Sequence, residues 1–120
     1  LADTKSQTTN YPPYNIRKVS DDQYTIELAV AGFEEKDIEI EAEEENLTIK
    51  GKRPSEASEG LVHQGLATRD FVRKFILSDN MVIKGAALTN GMLYVGLERE
   101  IPDHKKPRKI EFTSKSKILN

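Results

Sequence analysis

The chain is expected to fold as an all-β protein, an immunoglobulin-like antiparallel β-sandwich, and three features of its sequence lead there. Apolar residues recur at every second position in several short runs, the period of a strand with one buried face. Asn90-Gly91 stands between two such runs. Both residues tolerate positive φ, so the pair favours a tight type I′ hairpin turn whose twist matches its flanking strands. Helical periodicity is weak throughout, and many short strands separated by turn residues pack as two antiparallel sheets.

Residues 1–10 are polar and aperiodic and read as the disordered end of a longer arm; the chain starts at Leu1 and not at Met, so further native sequence is expected upstream. Tyr11-Pro12-Pro13-Tyr14 then forces an extended entry, because each proline fixes its own φ and restricts the residue before it. Tyr24, Ile26, Leu28 and Val30 alternate with Thr25, Glu27, Ala29 and Ala31, which describes a half-buried strand closed by Ala31-Gly32. Glu34-Glu35-Lys36-Asp37 suits a single helical turn. Ile38 and Ile40 alternate with Asp37, Glu39 and Glu41, and Leu47 and Ile49 alternate with Thr48 and Lys50; Glu43-Glu44-Glu45-Asn46 makes the turn between them.

Residues 54–60 form a polar loop. In 61–67, Leu61, His63 and Gly65 lie opposite Val62, Gln64 and Leu66, as in a short strand outside the main sandwich. Phe71, Arg73, Phe75 and Leu77 share one parity, while Val72 and Ile76 take the other, so that strand has apolar character on both faces. Residues 82–88 and 92–97 are the arms of the Asn90-Gly91 hairpin. No internal repeat at a solenoid period is present.

At 120 residues the chain is one domain with tails. Aromatics are few and tryptophan is absent, so the core must rest on Ile, Leu, Val and Phe. The net charge of −2, with both signs interspersed, argues against a dedicated nucleic-acid or membrane surface. Absence of cysteine excludes a disulfide scaffold or thiolate metal site and fits a reducing compartment, hence an expected cytoplasmic location. No run approaches the roughly 18–20 apolar residues of a membrane span, and the start lacks the basic-then-apolar pattern of a signal peptide.

Chemical sites are not apparent. His63 and His104 have no spacing that makes a metal site. No serine sits in a G-x-S-x-G turn, and there is no glycine-rich phosphate loop. Glu43-Glu44-Glu45 lacks the glycine and ligand spacing of a calcium loop, and Lys105-Lys106-Pro107-Arg108-Lys109 lacks interleaved aromatics; both read as solvated segments. Neither enzyme activity nor a metal or cofactor is expected.

The tail is more informative. Ile110 and Phe112 alternate around Glu111 in an otherwise polar, proline-punctuated stretch. Residues 101–109 span at most about 30 Å when extended, enough to reach a neighbouring molecule. Pro102 and Pro107 stiffen the segment and lower the entropy lost on docking. Burying Ile110 and Phe112 stabilises by about 1.5–3 kcal/mol each, against about 1–2 kcal/mol per residue for ordering the backbone. One such contact is weak and reversible, and an assembly gains from many acting together. Residues 113–120, with Lys115 and Lys117, read as a solubilising extension.

Ala86-x-x-x-Asn90-Gly91-Met92-Leu93 resembles the A-x-x-x-N-G-x-L signature of the small heat-shock proteins, whose common unit is the α-crystallin domain. The resemblance extends through Val30-Ala31-Gly32-Phe33, Asp37-Ile38-Glu39-Ile40, Leu47-Thr48-Ile49-Lys50-Gly51 and Phe71-Val72-Arg73-Lys74-Phe75-Ile76-Leu77. The entry Tyr11-Pro12-Pro13-Tyr14-Asn15 and the tail from Ile101-Pro102 to Ile110-Glu111-Phe112 look most like the bacterial inclusion-body-associated subgroup. Coverage runs from Tyr11 to Phe112.

The resemblance implies an ATP-independent holdase that captures unfolding proteins before they aggregate and holds them for ATP-driven refolding chaperones. It implies an arm remnant at 1–13, an α-crystallin domain at 14–101 and a C-terminal extension at 102–120. The family's oligomers form when an I-x-I motif fills an apolar groove at the sandwich edge of another subunit. Here the motif falls on Ile110 and Phe112, the latter a departure from the usual Ile or Val. The receiving groove falls on Ile38, Ile40, Val82, Ile83 and Leu88, with either strand parity compatible with the sequence.

In the bacterial type a strand on a long loop crosses to the partner to build the dimer, which assigns Leu61, Val62 and Leu66 to the dimer interface. Arg73 joins them, since the family places an arginine of this strand near the interface beside acidic groups. The plainer reading is an arginine snorkelling at a sheet rim. Ala86, Asn90, Gly91 and Leu93 form the hairpin signature, a structural one. The alternative function is a monomeric co-chaperone adaptor of related sandwich fold, which usually lacks the tail motif and the exchange loop. A small hydrolase or secreted binding sandwich has no nucleophile, base or disulfide to support it.

Overall fold

The structure, a computed structural model, describes residues 2–3, 10–54, 59–63 and 68–119, with the backbone alone at 2–3. Alternating sequence becomes two four-stranded antiparallel sheets, the predicted sandwich. One has the order β1 (Ala2–Asp3), β6 (Phe71–Ile76), β5 (Asn46–Gly51), β4 (Ile38–Glu43). The other has the order β2 (Tyr14–Lys18), β3 (Gln23–Ala29), β8 (Met92–Arg99), β7 (Met81–Thr89). The edge strands β4 and β7 therefore belong to opposite sheets.

Period two decides which side chains meet between the sheets. Ile26 and Leu28 of β3 pair with Val95 and Leu93 of β8, and all four are buried. Across from them, Leu47 and Ile49 of β5 and Phe75 of β6 have no exposed surface. Complete burial of each such side chain stabilises by about 1.5–3 kcal/mol. β6 reads buried at Phe71, Arg73 and Phe75 and exposed at Val72, Lys74 and Ile76, so one of its faces is core and the other open.

Asn90 (φ 51°) and Gly91 (φ 77°) both take the left-handed conformation that the type I′ turn requires, and Thr89 pairs with Met92 across it. The turn is fastened to the rest of the sheet: Val30 N–H donates to the Gly91 carbonyl at 2.8 Å. Glu34–Asp37 makes its single turn as a 3₁₀ segment (Glu35–Asp37), with Glu34 and Asp37 capping each other reciprocally.

Elsewhere the structure departs from the sequence reading. β2 forms a strand where only an extended entry is expected; it is an edge strand with Tyr14 and Ile16 as its apolar residues, so its alternation is faint. β7 carries a bulge, Lys84 being the extra residue between Ile83, paired with Leu97, and Gly85, paired with Gly96. Inward parity is therefore odd before the bulge (Met81, Ile83) and even after it (Ala86, Leu88). Residues 61–63 are a coil and a bend, not the expected strand; 64–67 lie outside the described residues.

Candidate docking groove and C-terminal tail

Where β4 and β7 face each other across the open side of the sandwich, a cavity of about 220 Å³ is lined by Glu35, Ile38, Ile40, Ala86, Ala87, Leu88 and Leu93. Ile38 and Ile40 enter it because they are the inward parity of β4, with Glu39 and Glu41 turned outward. Ala86 and Leu88 enter from β7 because the bulge has switched its parity. The floor is Leu93, buried and paired with Leu88. The small side chains of Ala86 and Ala87 leave the space open.

Ile38, Ile40 and Leu88 thus line one cavity together. Val82 does not join them. It precedes the bulge on the outward parity, pairs with Glu98 and lies on the other face of the sheet. Ile83 points inward but packs against the core outside the cavity lining. Ala86 was legible only as part of the hairpin signature; its place in the wall depends on the bulge, for which Gly85-Ala86-Ala87 gives no alternating signal.

The tail makes no use of this cavity within its own chain. Every residue from 103 to 119 is exposed, Ile110 at 72% and Phe112 at 106%. Its hydrogen bonds and ion pair are local, such as Lys106 with Asp103 at 3.4 Å. Leu61 and Val62 are also exposed, Val62 fully, whereas Leu66 lies outside the described residues.

Arg73 is 3% exposed and does not reach a rim. Its Nη2 and Nε donate to the Pro12 carbonyl at 3.0 and 3.3 Å, and its guanidinium lies 4.9 Å from the centre of the Tyr14 ring. Tyr14 in turn meets Phe75 edge-on at 5.2 Å, and Tyr11 meets Phe71 at 5.9 Å. The inward row of β6 thus fixes the entry segment to the core of its own chain.

Two carboxylates are held away from their ordinary range in opposite directions. Glu27, on the outer face of β3, is held low by hydrogen bonding from Arg17, whose Nε donates at 2.8 Å, and by Asn15, with burial opposing. Glu45 is pushed up by its hydrogen bond with the Asp79 carboxyl and by that group's charge. Among the described residues no cluster of His, Asp and Glu could hold a metal ion.

Residues 16–113 match the model of the Hsp20/alpha crystallin family. The chain belongs to that family. It is 47% identical over 113 residues to the small heat shock protein IbpA of Escherichia coli (strain K12 / DH10B), covering 92% of this chain and 82% of the relative. Solved structures agree: a C-terminally truncated small heat shock protein AgsA from Salmonella typhimurium superposes with a TM-score of 0.65 at 31% identity, over 84% of this chain and 98% of that one. A small heat shock protein from Synechococcus phage S-ShM2 gives a TM-score of 0.64 at 37% identity, over 85% and 99%. The sandwich is therefore an α-crystallin domain, and the chain is a chaperone of the inclusion-body-associated kind. No helix among the described residues is long and apolar enough to cross a membrane.

Proposed function

We propose that the chain works as a cytoplasmic, ATP-independent holdase whose subunits are joined by Ile110 and Phe112 of one copy filling the β4–β7 cavity of another. The observation that carries this reading is a mismatch within one chain. An exposed apolar pair hangs on a stiffened tail, and an apolar cavity stands open at the sandwich edge. The tail leaves β8 at Arg99, whereas the cavity is floored by Leu93, about 20 Å back along the strand. Docking on its own cavity would need a reversal through Pro102 and Pro107. Docking on a second copy needs none.

The domain division at 14–101 and 102–120 serves that assembly. The outer edge of β2 is unpaired among the described residues, so it can take a strand from a partner. Leu61 and Val62, exposed beside residues 64–67, supply the exchange segment in this reading. Clients are unfolding proteins, released to ATP-driven refolding chaperones.

The test is light-scattering mass together with suppression of heat aggregation of a model protein, for the wild type and for Ile110→Ala/Phe112→Ala. The wild type is expected to form large assemblies and protect, and the variant to fall to small species. A wild-type monomer that protects nothing overturns the reading, and one that aids only a partner chaperone favours the adaptor function.

A further inference from the structure

Two charged segments remain unused. Residues 34–45 hold eight acidic residues against one lysine, Lys36, and residues 105–109 hold four basic residues around Pro107. The overall charge of −2 conceals this segregation. The structure brings one member of the acidic segment, Glu35, into the cavity lining. Glu39 and Glu41 stand on the outer face of the edge strand β4 that bounds the cavity, opposite Ile38 and Ile40, with Glu39 in a separate surface hollow beside Lys36, Lys50 and Lys52. All three glutamates are exposed, and among the described residues no ion pair engages them. Lys50 is the cross-strand neighbour of Glu39 yet lies beyond ion-pair distance. Lys105, Arg108 and Lys109 are likewise exposed and without an ion pair among the described residues.

We infer that the basic run 105–109 of one subunit seats against the acidic lip formed by Glu35, Glu39 and Glu41 of another, as an ionic latch beside the apolar plug. This rests on the tail docking proposed above. The occupant is a second copy of this chain, because the complementary charges adjoin the two halves of one apolar contact. Arg108 and Lys109 immediately precede Ile110, so a tail with Ile110 in the cavity holds them within about 3–7 Å of backbone from its entrance. Arg108 also shares the face of Ile110 and Phe112 in an extended segment, the face turned toward Glu35. The latch steers the tail to this edge and resists removal until its charges are screened.

Salt separates the latch from the plug. Apolar burial is not weakened by sodium chloride, whereas exposed ion pairs are, since the screening length falls from about 10 Å at 0.1 M to about 3 Å at 1 M. In the full chain, assembly is expected to become about tenfold weaker between low and high salt, read as mass against protein concentration. Lys105→Glu/Lys106→Glu/Arg108→Glu/Lys109→Glu is expected to lower the mass at low salt, as is Glu35→Lys/Glu39→Lys/Glu41→Lys. Mixing these two variants pairs each reversed tail with a reversed lip and is expected to restore large species.

Assembly indifferent to salt, or a mixture no larger than its components, overturns the latch. A fall with the tail reversal alone also overturns it, and points to a different acidic partner for the basic run. If Ile110→Ala/Phe112→Ala dissociates the assembly while both reversals leave it intact, the latch fails and the docking reading stands. If that apolar variant changes nothing, or the wild type is monomeric at every salt concentration, both fail together.

Discussion

The Arg73 guanidinium donates twice to the main-chain carbonyl of Pro12, at 3.0 and 3.3 Å, across 61 positions of sequence. At 3% exposure it has little water to fall back on. A hydrogen bond to a charged group contributes about 1.5–3 kcal/mol, and an orphaned buried carbonyl adds its own desolvation cost. Arg73→Met keeps most of the volume and removes the donors, so it is expected to lower unfolding free energy by about 2–3 kcal/mol in urea titration. Loss of assembly without loss of stability would instead place Arg73 at a subunit contact.

Gly51 pairs with Phe71 across β5 and β6, and a Cβ at Gly51 would overlap the Cδ1–Cε1–Cζ edge of the Phe71 ring. The ring cannot swing aside freely, because Phe33 and Tyr11 pack edge-on against it at 5.4 and 5.9 Å. Gly51→Ala is therefore expected to destabilise by about 1–3 kcal/mol, the usual cost of overpacking. Thermal melting checks it, and an unchanged midpoint would show that this corner of the core has slack.

What the sequence discloses of this molecule follows the reach of each signal. Alternation is local, so Tyr24 to Val30, Ile38 with Ile40, and Leu47 with Ile49 announce their strands, and Asn90-Gly91 announces its turn. β2 is faint because an edge strand needs few apolar residues. The bulge at Lys84 is silent, since glycine and two alanines follow it, and it turns Val82 away from the groove while bringing Ala86 in. Arg73 was legible as a charge requiring a partner, but not as the holder of Pro12, because no local pattern records a contact that distant. The basic run 105–109 was visible in the sequence, whereas only the fold brings Glu35 to the cavity wall.

Ala86 gives a way to close the cavity without touching the tail. It is exposed, lines the wall and pairs with Val95 at the edge strand, so a larger side chain there projects into the cavity and not into the core. Ala86→Phe is expected to reduce assembly mass as far as Ile110→Ala/Phe112→Ala does. Domain stability should change by less than about 0.5 kcal/mol, as for surface positions in general. Combining the two changes should cost nothing further, because both remove one contact.

Glu27 and Glu45 give opposite responses to pH. Hydrogen bonding from Arg17 holds Glu27 below the ordinary carboxylate value of about 4.3, so its contribution to stability is present above that value and lost as pH falls through the lower, folded one. Glu27→Gln is thus expected to lower the melting temperature near pH 7 and to differ little from wild type in strong acid. Asp79 raises Glu45, whose contribution is present only below the ordinary value and is lost as pH rises through the higher, folded one. Once Glu45 loses its proton its charge is disfavoured beside Asp79, and an amide at 45 can donate to Asp79 in that proton's place. Glu45→Gln is therefore expected to raise the melting temperature near pH 7, with the gain vanishing in acid. Paired melts of the two variants across that range should diverge in sign at neutral pH; shifts in the same direction would show that one of the two partners does not govern its carboxylate.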